Sequence, residues 1–391
     1  MLGDAAGPAA AALRAALLPA AVLYGLGMRC RNGLFDAGLR RAQRLPVPVI
    51  AVGNLSVGGT GKTPMVEWVV RRLLERGRRP AILSRGYGAR ATNAAASNTP
   101  PPFQGGRMGE GAASSHHAPP PNLPPQAEGG GFARADTTAG GAANEEAALL
   151  AENLAGVPHF RSPDRVAAGR RAIAERDADA LVLDDGFQHR RLHRDLDIVL
   201  IDALAPPQRD HLFPAGSLRE PASSLRRAQV VVLTRGDLCS KEDRAALRAF
   251  AHHVAPQTVL VEAVHEPTAL RFADGRVEPV ASLRDRAVFA FCGIGNPRGF
   301  LGTLDACGAR VAGARIFPDH HDYGEGEAKE LADAALAVKA EIIVTTQKDL
   351  VKLRGRAFAP PLAALIVALK IVEGSAALEE KLSEVCPPCA L

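Results

Sequence analysis

Short apolar runs alternate along the chain with stretches in which apolar side chains recur at helical spacing. The run Val47–Val52 is rich in β-branched residues, which predicts a buried strand. After a glycine-rich turn, the apolar positions lie on one face of a predicted helix. These positions are Val66, Val69, Val70, Leu73 and Leu74. Further apolar runs predict strands at 180–184, 197–202 and 229–234. Alternating strands and helices predict a parallel sheet with helices on both faces.

A second group of elements begins near Ala287, with apolar runs at 288–293 and 341–346 and a helix near 298–307. This group predicts a smaller second α/β lobe. The predicted regions are an N-terminal helical region at 1–45, a first lobe at 46–255, a connecting segment at 256–286, a second lobe at 287–375 and a flexible tail at 376–391.

Residues 91–143 are mostly Ala, Gly, Pro and Ser, with one Leu and no Val or Ile. Such a segment cannot bury enough apolar surface to offset the entropy lost on ordering. We therefore expect a disordered, low-complexity insertion in a surface loop of the first lobe.

The chain from Ala15 to Met28 is apolar and is followed by a basic stretch. This stretch is too short to span a bilayer unaided, because spanning takes about 20 apolar residues. Beside arginines it is typical of a helix that lies in the membrane interface, attracted to anionic headgroups. A buried terminal helix and an arginine-rich organelle presequence are the alternatives that the segment leaves open.

Charge and composition narrow the class of protein. A net charge of +5 and an aromatic content of 4% do not favour nucleic-acid binding. Four of the six cysteines stand alone, which argues against a disulfide framework. Cys386 and Cys389 form one CxxC pair without a second, so a frayed terminus is favoured over a zinc or redox site.

The turn after the first predicted strand reads SVGGTGKTP, from Ser56 to Pro64. Its glycines allow backbone N–H groups to surround phosphate oxygens, and the helix N-terminus behind them favours negative charge. Lys62 is expected to reach the β- and γ-phosphates of a nucleotide, and Thr63 to bind Mg²⁺. The strict motif has Gly where this chain has Ser56, but the flanking strand and helix are the required context. The predicted nucleotide-binding residues are Ser56, Val57, Gly58, Gly59, Thr60, Gly61, Lys62 and Thr63.

Acidic residues and histidines follow other apolar runs. Asp184 and Asp185 end a predicted strand, where a P-loop enzyme holds its metal, although a strand-to-turn boundary has the same composition. In the segment Phe317–His321, a histidine beside an aspartate can act as the base for a hydroxyl acceptor. Metal ligation or a plain surface loop are the alternatives there. Weaker candidates lie at Glu145–Glu146, Phe213–Glu220 and Thr346–Asp349.

Taken together, these segments resemble the tetraacyldisaccharide 4′-kinase family, the lipid A 4′-kinases. The resemblance rests on RLPVPVIAVGNLSVGGTGKTP, LSRGYG, DDGFQHRRLHRDLDIVLID, FPAGSLREP, GIGNP, FPDHH and TQKD, which occur in the family's order. It implies a P-loop NTPase-like scaffold with two α/β lobes and a membrane-associated N-terminal helix. The implied reaction passes the γ-phosphate of ATP, with Mg²⁺, to the 4′-hydroxyl of a tetraacyldisaccharide 1-phosphate in lipid A biosynthesis. The implied partners are this lipid and the membrane surface, and no nucleic acid.

The resemblance also implies a role for each site residue. The implied catalytic residues are Lys62, Glu145, Asp185 and His320. The implied metal ligands are Thr63, Asp184, Glu146 and Glu220. The implied substrate residues are His189 and Arg219. Where the family has Gly-Asp-Glu this chain has Asn144-Glu145-Glu146, so the acid that works with His320 is one methylene longer. A displacement of about 1 Å at such a group can cost about 10²-fold in rate.

Two other functions stay open at this point. One is a different P-loop enzyme, such as a GTPase or a soluble kinase, which is not expected to have the apolar and basic N-terminus. The other is a nucleotide-binding membrane adaptor with reduced turnover, which only the altered acid at Glu145 favours. The expected location is the cytoplasmic face of the inner membrane for a bacterial protein, and the mitochondrion or another organelle for a plant or algal one.

Overall fold

The computed structural model describes residues 8–86 and 141–388. Nearly all of the predicted insertion at 91–143, and Cys389, lie outside the described residues. The strands are β1 (Val49–Asn54), β2 (Pro80–Ser84), β3 (His159–Arg161), β4 (Ala180–Asp184), β5 (Leu196–Asp202), β6 (Val230–Thr234), β7 (Val259–Phe272), β8 (Val277–Pro279), β9 (Ala287–Cys292), β10 (Arg310–Ile316), β11 (Ile342–Thr346) and β12 (Leu362–Glu373). The helices are α1 (Pro8–Asp36), α2 (Lys62–Glu75), α3 (Gly141–Asn153), α4 (Arg165–Arg176), α5 (Lys241–Val254), α6 (Pro297–Ala306), α7 (Glu325–Ala337), α8 (Gln347–Lys352) and α9 (Ser375–Val385).

The strands form one 12-stranded sheet in the order β10-β9-β11-β12-β7-β6-β5-β1-β4-β2-β3, with β8 paired to β7. The pairing is parallel except where β7 meets β12 and β8. In β1, Val49 and Ala51 pack on one face of the sheet and Ile50 and Val52 on the other, because successive strand residues point to opposite faces. The predicted α/β class, a largely parallel sheet with helices on both faces, is confirmed.

The two predicted lobes share this sheet through β7. The strand is 14 residues long and pairs with β6 in parallel and with β12 in antiparallel orientation. Residues 256–286, predicted as a connecting segment, therefore contain a strand that joins the two halves. Antiparallel pairing with a distant strand leaves no periodic signal next to β7 in the sequence, so the pattern alone did not reveal it.

The flexible tail predicted at 376–391 is wrong as far as Cys386. Helix α9 packs onto the first half of the sheet, and its residues Leu378 and Leu382 are fully buried, as is Cys386 just beyond it. Their spacing of four residues places all three on one face of a helix. Burial raises the pKa of Cys386 to about 11, which disfavours the thiolate that a zinc or redox site needs.

Helix α1 is longer than the apolar stretch suggested. Its section Ala11–Asp36 contains an 18-residue window with a mean hydropathy of 1.5 and is long and apolar enough to cross a membrane, judged by length and composition alone. The C-terminal half is docked, since Tyr24 Oη donates to the backbone oxygen of Arg219 (2.8 Å) and Asn32 Nδ2 donates to Glu220 (2.9 Å). Five large apolar side chains stay exposed on α1: Leu13, Leu18, Val22, Leu23 and Leu26.

Candidate active site

A cleft of about 460 Å³ lies at the carboxyl ends of the parallel strands. One wall, here called the donor side, consists of residues 57–64 with Asp184 and Asp185. The opposite wall, here called the base side, consists of the cleft-lining residues of segments 317–321 and 346–349. Ligand sites in α/β sheets form at this end of the strands, where loops from different elements meet.

The glycine-rich loop connects β1 to α2 and is held in place largely by hydrogen bonds to the residues around it. Val57 N donates to Ser217 O (2.8 Å), and Thr234 Oγ1 donates to Thr60 O (3.1 Å). Asn54 Nδ2 donates to Thr60 Oγ1 (3.0 Å). These bonds hold the loop in one conformation at the N-terminus of α2, the arrangement that binds phosphate.

Gly61 is the residue at which this loop turns into α2. Its φ is 91°, a left-handed conformation that other residues adopt only with strain. A Cβ built on it would lie 2.7 Å from His265 Nε2, so the space is also closed. Two independent constraints therefore require glycine here.

Asp184 and Asp185 end β4 in different environments. Asp185, with φ 54°, accepts two hydrogen bonds from Arg219 Nη1 (2.8 and 2.7 Å) and lies 3.9 Å from Lys62 Nζ. Burial acts to raise the pKa of Asp185, but Lys62 and Arg219 outweigh it and lower that pKa. For Asp184, burial and the charges of Glu146 and Asp185 raise the pKa to about 7.

The surroundings of Asp184 fit a magnesium ion. Its Oδ1 atom is buried and has no hydrogen-bond partner among the described residues, so a carboxylate oxygen is left to bind a cation. Glu146 and Thr63 also line the cleft, and their side-chain oxygens are of the kind that Mg²⁺ prefers. Within the part of the chain that the structure describes, no group of three or more His, Cys, Asp or Glu forms a closed metal cage. Mg²⁺ needs none, because it commonly takes one or two carboxylates together with substrate phosphates.

On the base side, the FPDHH loop places His320 in the cleft at φ 63°. The backbone N–H of His320 donates to Gly293 O (3.1 Å). Lys348 Nζ lies 3.4 Å from His320 Nε2 and 3.3 Å from Asp319 Oδ1. Buried Asp349 supports the loop from behind, since it accepts bonds from Gly293 N (3.1 Å) and Thr346 Oγ1 (2.7 Å).

The GIGNP loop after β9 brings the two walls together. Asn296 Nδ2 donates to Asp202 (3.2 Å), which is also ion-paired with Arg235. A Cβ built on Gly295 would lie 3.2 Å from Gly59 N and 3.2 Å from Asp319 Oδ2. The second half of the sheet thus reaches the phosphate-binding loop directly.

Most of the predicted site residues meet in this cleft. Its lining includes Val57, Gly58, Gly59, Thr60, Gly61, Lys62, Thr63, Glu146, Asp184, Asp185, Arg219 and His320. Ser56 is not among the lining residues and pairs with Leu218 in an isolated bridge. Glu145 belongs to α3, but its side chain lies outside what the structure describes.

Two further predicted site residues, Glu220 and His189, do not line the cleft. Glu220 is fully buried, and its Oε2 pairs with Arg227 (2.8 Å) and Asn32 (2.9 Å), so that it anchors α1. Its Oε1 has no hydrogen-bond partner among the described residues, and its role as a metal ligand stays a prediction. Its neighbour Arg219 does line the cleft. His189 also lies outside the cleft lining, and burial together with nearby arginines lowers its pKa to about 4.

Among the cleft residues that the sequence reasoning missed are Arg235 and His265. Arg235 directly follows β6, so the rule that parallel strands gather their carboxyl ends at one edge would have found it. His265 lies within β7, and no motif marks it. Burial lowers the pKa of His265 to about 3, so it is neutral beside the phosphate-binding loop.

The sequence matches the model of one protein family, and both named relatives and a solved structure are similar to this chain. The sequence matches the model of the family described as tetraacyldisaccharide-1-P 4′-kinase over residues 13–107 and 131–387. A protein named tetraacyldisaccharide 4′-kinase from Anaeromyxobacter dehalogenans (strain 2CP-C) is 41% identical over 350 residues, which is 89% of this chain and 83% of that protein. One from Geobacter sulfurreducens is 37% identical over 352 residues, covering 90% of this chain and 87% of the relative. The crystal structure of LpxK from Aquifex aeolicus in complex with ATP has a TM-score of 0.64 at 30% identity, over 95% of this chain and 99% of that one.

Proposed function

Because the chain belongs to the tetraacyldisaccharide-1-P 4′-kinase family, we propose that it transfers the γ-phosphate of ATP to the 4′-hydroxyl of a tetraacyldisaccharide 1-phosphate in lipid A biosynthesis. The observation that carries this proposal is the cleft itself. A phosphate-binding loop and two strand-end acids form one wall, and a histidine next to an aspartate and a lysine lies in the other. A phosphoryl donor and a hydroxyl acceptor fit between them.

The donor side binds the triphosphate. Backbone N–H groups of residues 58–63 and the N-terminus of α2 surround the phosphate oxygens. Lys62 turns from Asp185, 3.9 Å away, to the β- and γ-phosphates, where it stabilises the charge of the transition state. That the Aquifex aeolicus relative is a complex with ATP supports ATP as the donor.

Thr63, Asp184 and Glu146 would hold Mg²⁺ on this side of the cleft. When bound, the ion neutralises charge on the phosphate oxygens. The unpartnered buried oxygen of Asp184 supports this assignment. Arg219 holds Asp185 in place through its two hydrogen bonds, so that of the two strand-end acids Asp184 is the one left to face a cation.

The base side activates the acceptor. His320 Nε2 accepts the proton of the 4′-hydroxyl while the sugar oxygen forms its bond to the γ-phosphorus and the bond to the β–γ bridging oxygen breaks, which releases ADP. Glu145 is proposed as the carboxylate that orients the imidazole, an assignment carried only by the resemblance of its segment to the family. The Lys62, Asp185 and His320 roles rest on their common placement in the cleft.

We propose that α1 lies on the membrane surface and thereby positions the cleft close to the acylated substrate. Its docked half contacts Arg219 and Glu220, next to the active site, so this half is held against the protein and not inside a bilayer. Exposed Val22, Leu23 and Leu26 form part of an apolar face that suits the interface. The named relatives are bacterial, which supports the cytoplasmic face of the inner membrane, where ATP is available.

The decisive test is transfer of labelled γ-phosphate from ATP to tetraacyldisaccharide 1-phosphate in detergent micelles. We expect the wild-type protein to form the 4′-phosphate and Glu145→Asp to change the rate, since the shorter acid restores the family's residue. Nucleotide binding without transfer by either protein would contradict the kinase proposal and favour a membrane adaptor.

The membrane proposal has a separate test. Leu23→Asp places a charge on the exposed face of α1, and Leu336→Asp places one on an exposed part of α7. Only the first is expected to reduce cosedimentation with vesicles that contain anionic lipid. Equal binding of both variants would show that α1 does not mediate membrane attachment.

A further inference from the structure

Lys348 occupies a position in the cleft that the proposed mechanism does not use. It stands near the start of α8, and its side chain is 16% exposed. Its ammonium group lies 3.4 Å from His320 Nε2 and 3.3 Å from Asp319 Oδ1. Both contacts are with residues of the base side.

The chemistry of the two groups fixes the direction of the contact. A lysine ammonium can only donate hydrogen bonds, so a hydrogen bond from Lys348 to His320 uses the lone pair of Nε2, which also lies 3.8 Å from Asp319 Oδ2. A base accepts a proton through that same lone pair. While Lys348 holds this position, His320 cannot accept the proton of an acceptor hydroxyl at Nε2.

The phosphate-binding loop is close enough to compete for the lysine. Asp319 Oδ2 and Gly59 N both come within 3.2 Å of the Cβ position of Gly295, so Lys348's partner carboxylate is a near neighbour of the loop. A bound triphosphate brings several negative charges to that loop. A flexible ammonium held by one carboxylate and a long contact to an imidazole nitrogen is expected to turn toward such a charge.

We propose that Lys348 covers Nε2 of His320 in the nucleotide-free protein and moves to the terminal phosphate of a bound nucleoside triphosphate, so that the base is uncovered only when the phosphoryl donor is in place. This inference rests on the proposed kinase function. It gives Lys348 two consecutive partners, the imidazole and then the γ-phosphate. It also makes Lys348 a contact that distinguishes a triphosphate from a diphosphate.

The first half of the proposal is tested without any substrate. Diethyl pyrocarbonate modifies a histidine through a ring-nitrogen lone pair, and mass spectrometry reports the extent at His320 alone. In nucleotide-free protein, Lys348→Met is expected to speed modification of His320 by about tenfold, the factor that corresponds to loss of one charge-assisted hydrogen bond. The control Lys329→Met removes an exposed lysine of α7, in the same half of the sheet. Equal rates in Lys348→Met and in the control would overturn the covering role.

The second half is tested by equilibrium binding of ADP and of a non-hydrolysable ATP analogue, each with Mg²⁺. Lys348→Met is expected to weaken binding of the ATP analogue by about tenfold and to leave ADP binding unchanged. Equal losses for both nucleotides, or no loss for either, would overturn the γ-phosphate contact. Neither measurement uses the lipid, so failure of the kinase proposal would appear separately, as absence of transfer by the wild-type protein.

Discussion

The donor side of the cleft is held mainly by backbone groups and their neighbours, whereas the base side is held by side chains that come from separate loops. The glycine-rich loop is continuous with β1 and α2, and hydrogen bonds to its main chain fix it. The base side needs Asp349 to bind Gly293 N, and Lys348 to contact Asp319 and His320. The donor side is therefore largely preformed, and the base side has a lysine that can change partners.

Because of this difference, we expect nucleotide binding and phosphate transfer to respond differently to substitutions on the two sides. A preformed loop binds its phosphate without reorganisation, so that substitutions there remove donor and reaction together. Substitutions on the base side, apart from those of Lys348, affect the proton transfer while the donor still binds. Each side can accordingly be tested by measuring nucleotide binding and phosphate transfer on the same variant.

The largest expected effect is that of Lys62→Ala. Removal of the ammonium that reaches the β- and γ-phosphates is expected to lower transfer to the lipid by about 10³-fold. ATP binding should weaken as well, because Lys62 belongs to the loop that holds the phosphates. Phosphate transfer and equilibrium binding of ATP are measured side by side. A variant that kept a tenth of wild-type transfer would contradict the role given to Lys62.

His320→Ala should have a smaller effect on transfer and almost none on ATP binding. Loss of a general base costs about 10²–10⁴-fold, and the lower end is expected because the donor side stays intact. The matched control is His321→Ala. His321 stacks on Phe317 and bonds Glu327 outside the cleft, so its loss should affect loop stability more than kcat. If His321→Ala lowered kcat as much as His320→Ala, the base assignment would fail.

The same contrast explains what the sequence could predict. The donor side was predictable because strand, loop and helix follow one another, and the acids at the end of β4 follow a buried run. Glu220 was harder to place, because it directly follows the cleft-lining Arg219 in sequence but is fully buried against Arg227 and Asn32. Adjacency in sequence did not show which of the two side chains lines the cleft.

The base side and the joining strand were harder to predict for a different reason. β7 is defined by pairing with β12, and the contact between Lys348 and His320 joins segments 28 residues apart. Such contacts depend on the register of the finished sheet, which the local pattern does not contain. Helix α9 was missed because its apolar positions are few, although Leu378 and Leu382 have the spacing of a buried helical face.

The smallest expected effect concerns acid stability of the half that carries the donor side. His159 lies on β3, with Nε2 2.7 Å from Ser84 Oγ, and burial and the charge of Arg161 lower its pKa to about 4. The unfolded chain, with an ordinary histidine pKa near 6.5, binds a proton that the folded protein excludes between about pH 6.5 and pH 4. The free energy of unfolding should therefore fall as the pH is lowered through this window.

His159→Gln removes this proton uptake. The loss of unfolding free energy between pH 7 and pH 5 should be smaller in the variant by up to about 2 kcal/mol. Urea unfolding followed by the fluorescence of Trp68, on α2 directly behind the phosphate-binding loop, reports on this half of the sheet. His252→Gln, at an exposed site in the last turn of α5, serves as the control and should leave the pH dependence unchanged. If the two variants lost the same free energy on acidification, buried His159 would not be a source of acid sensitivity, and the donor side would owe none of it to this strand.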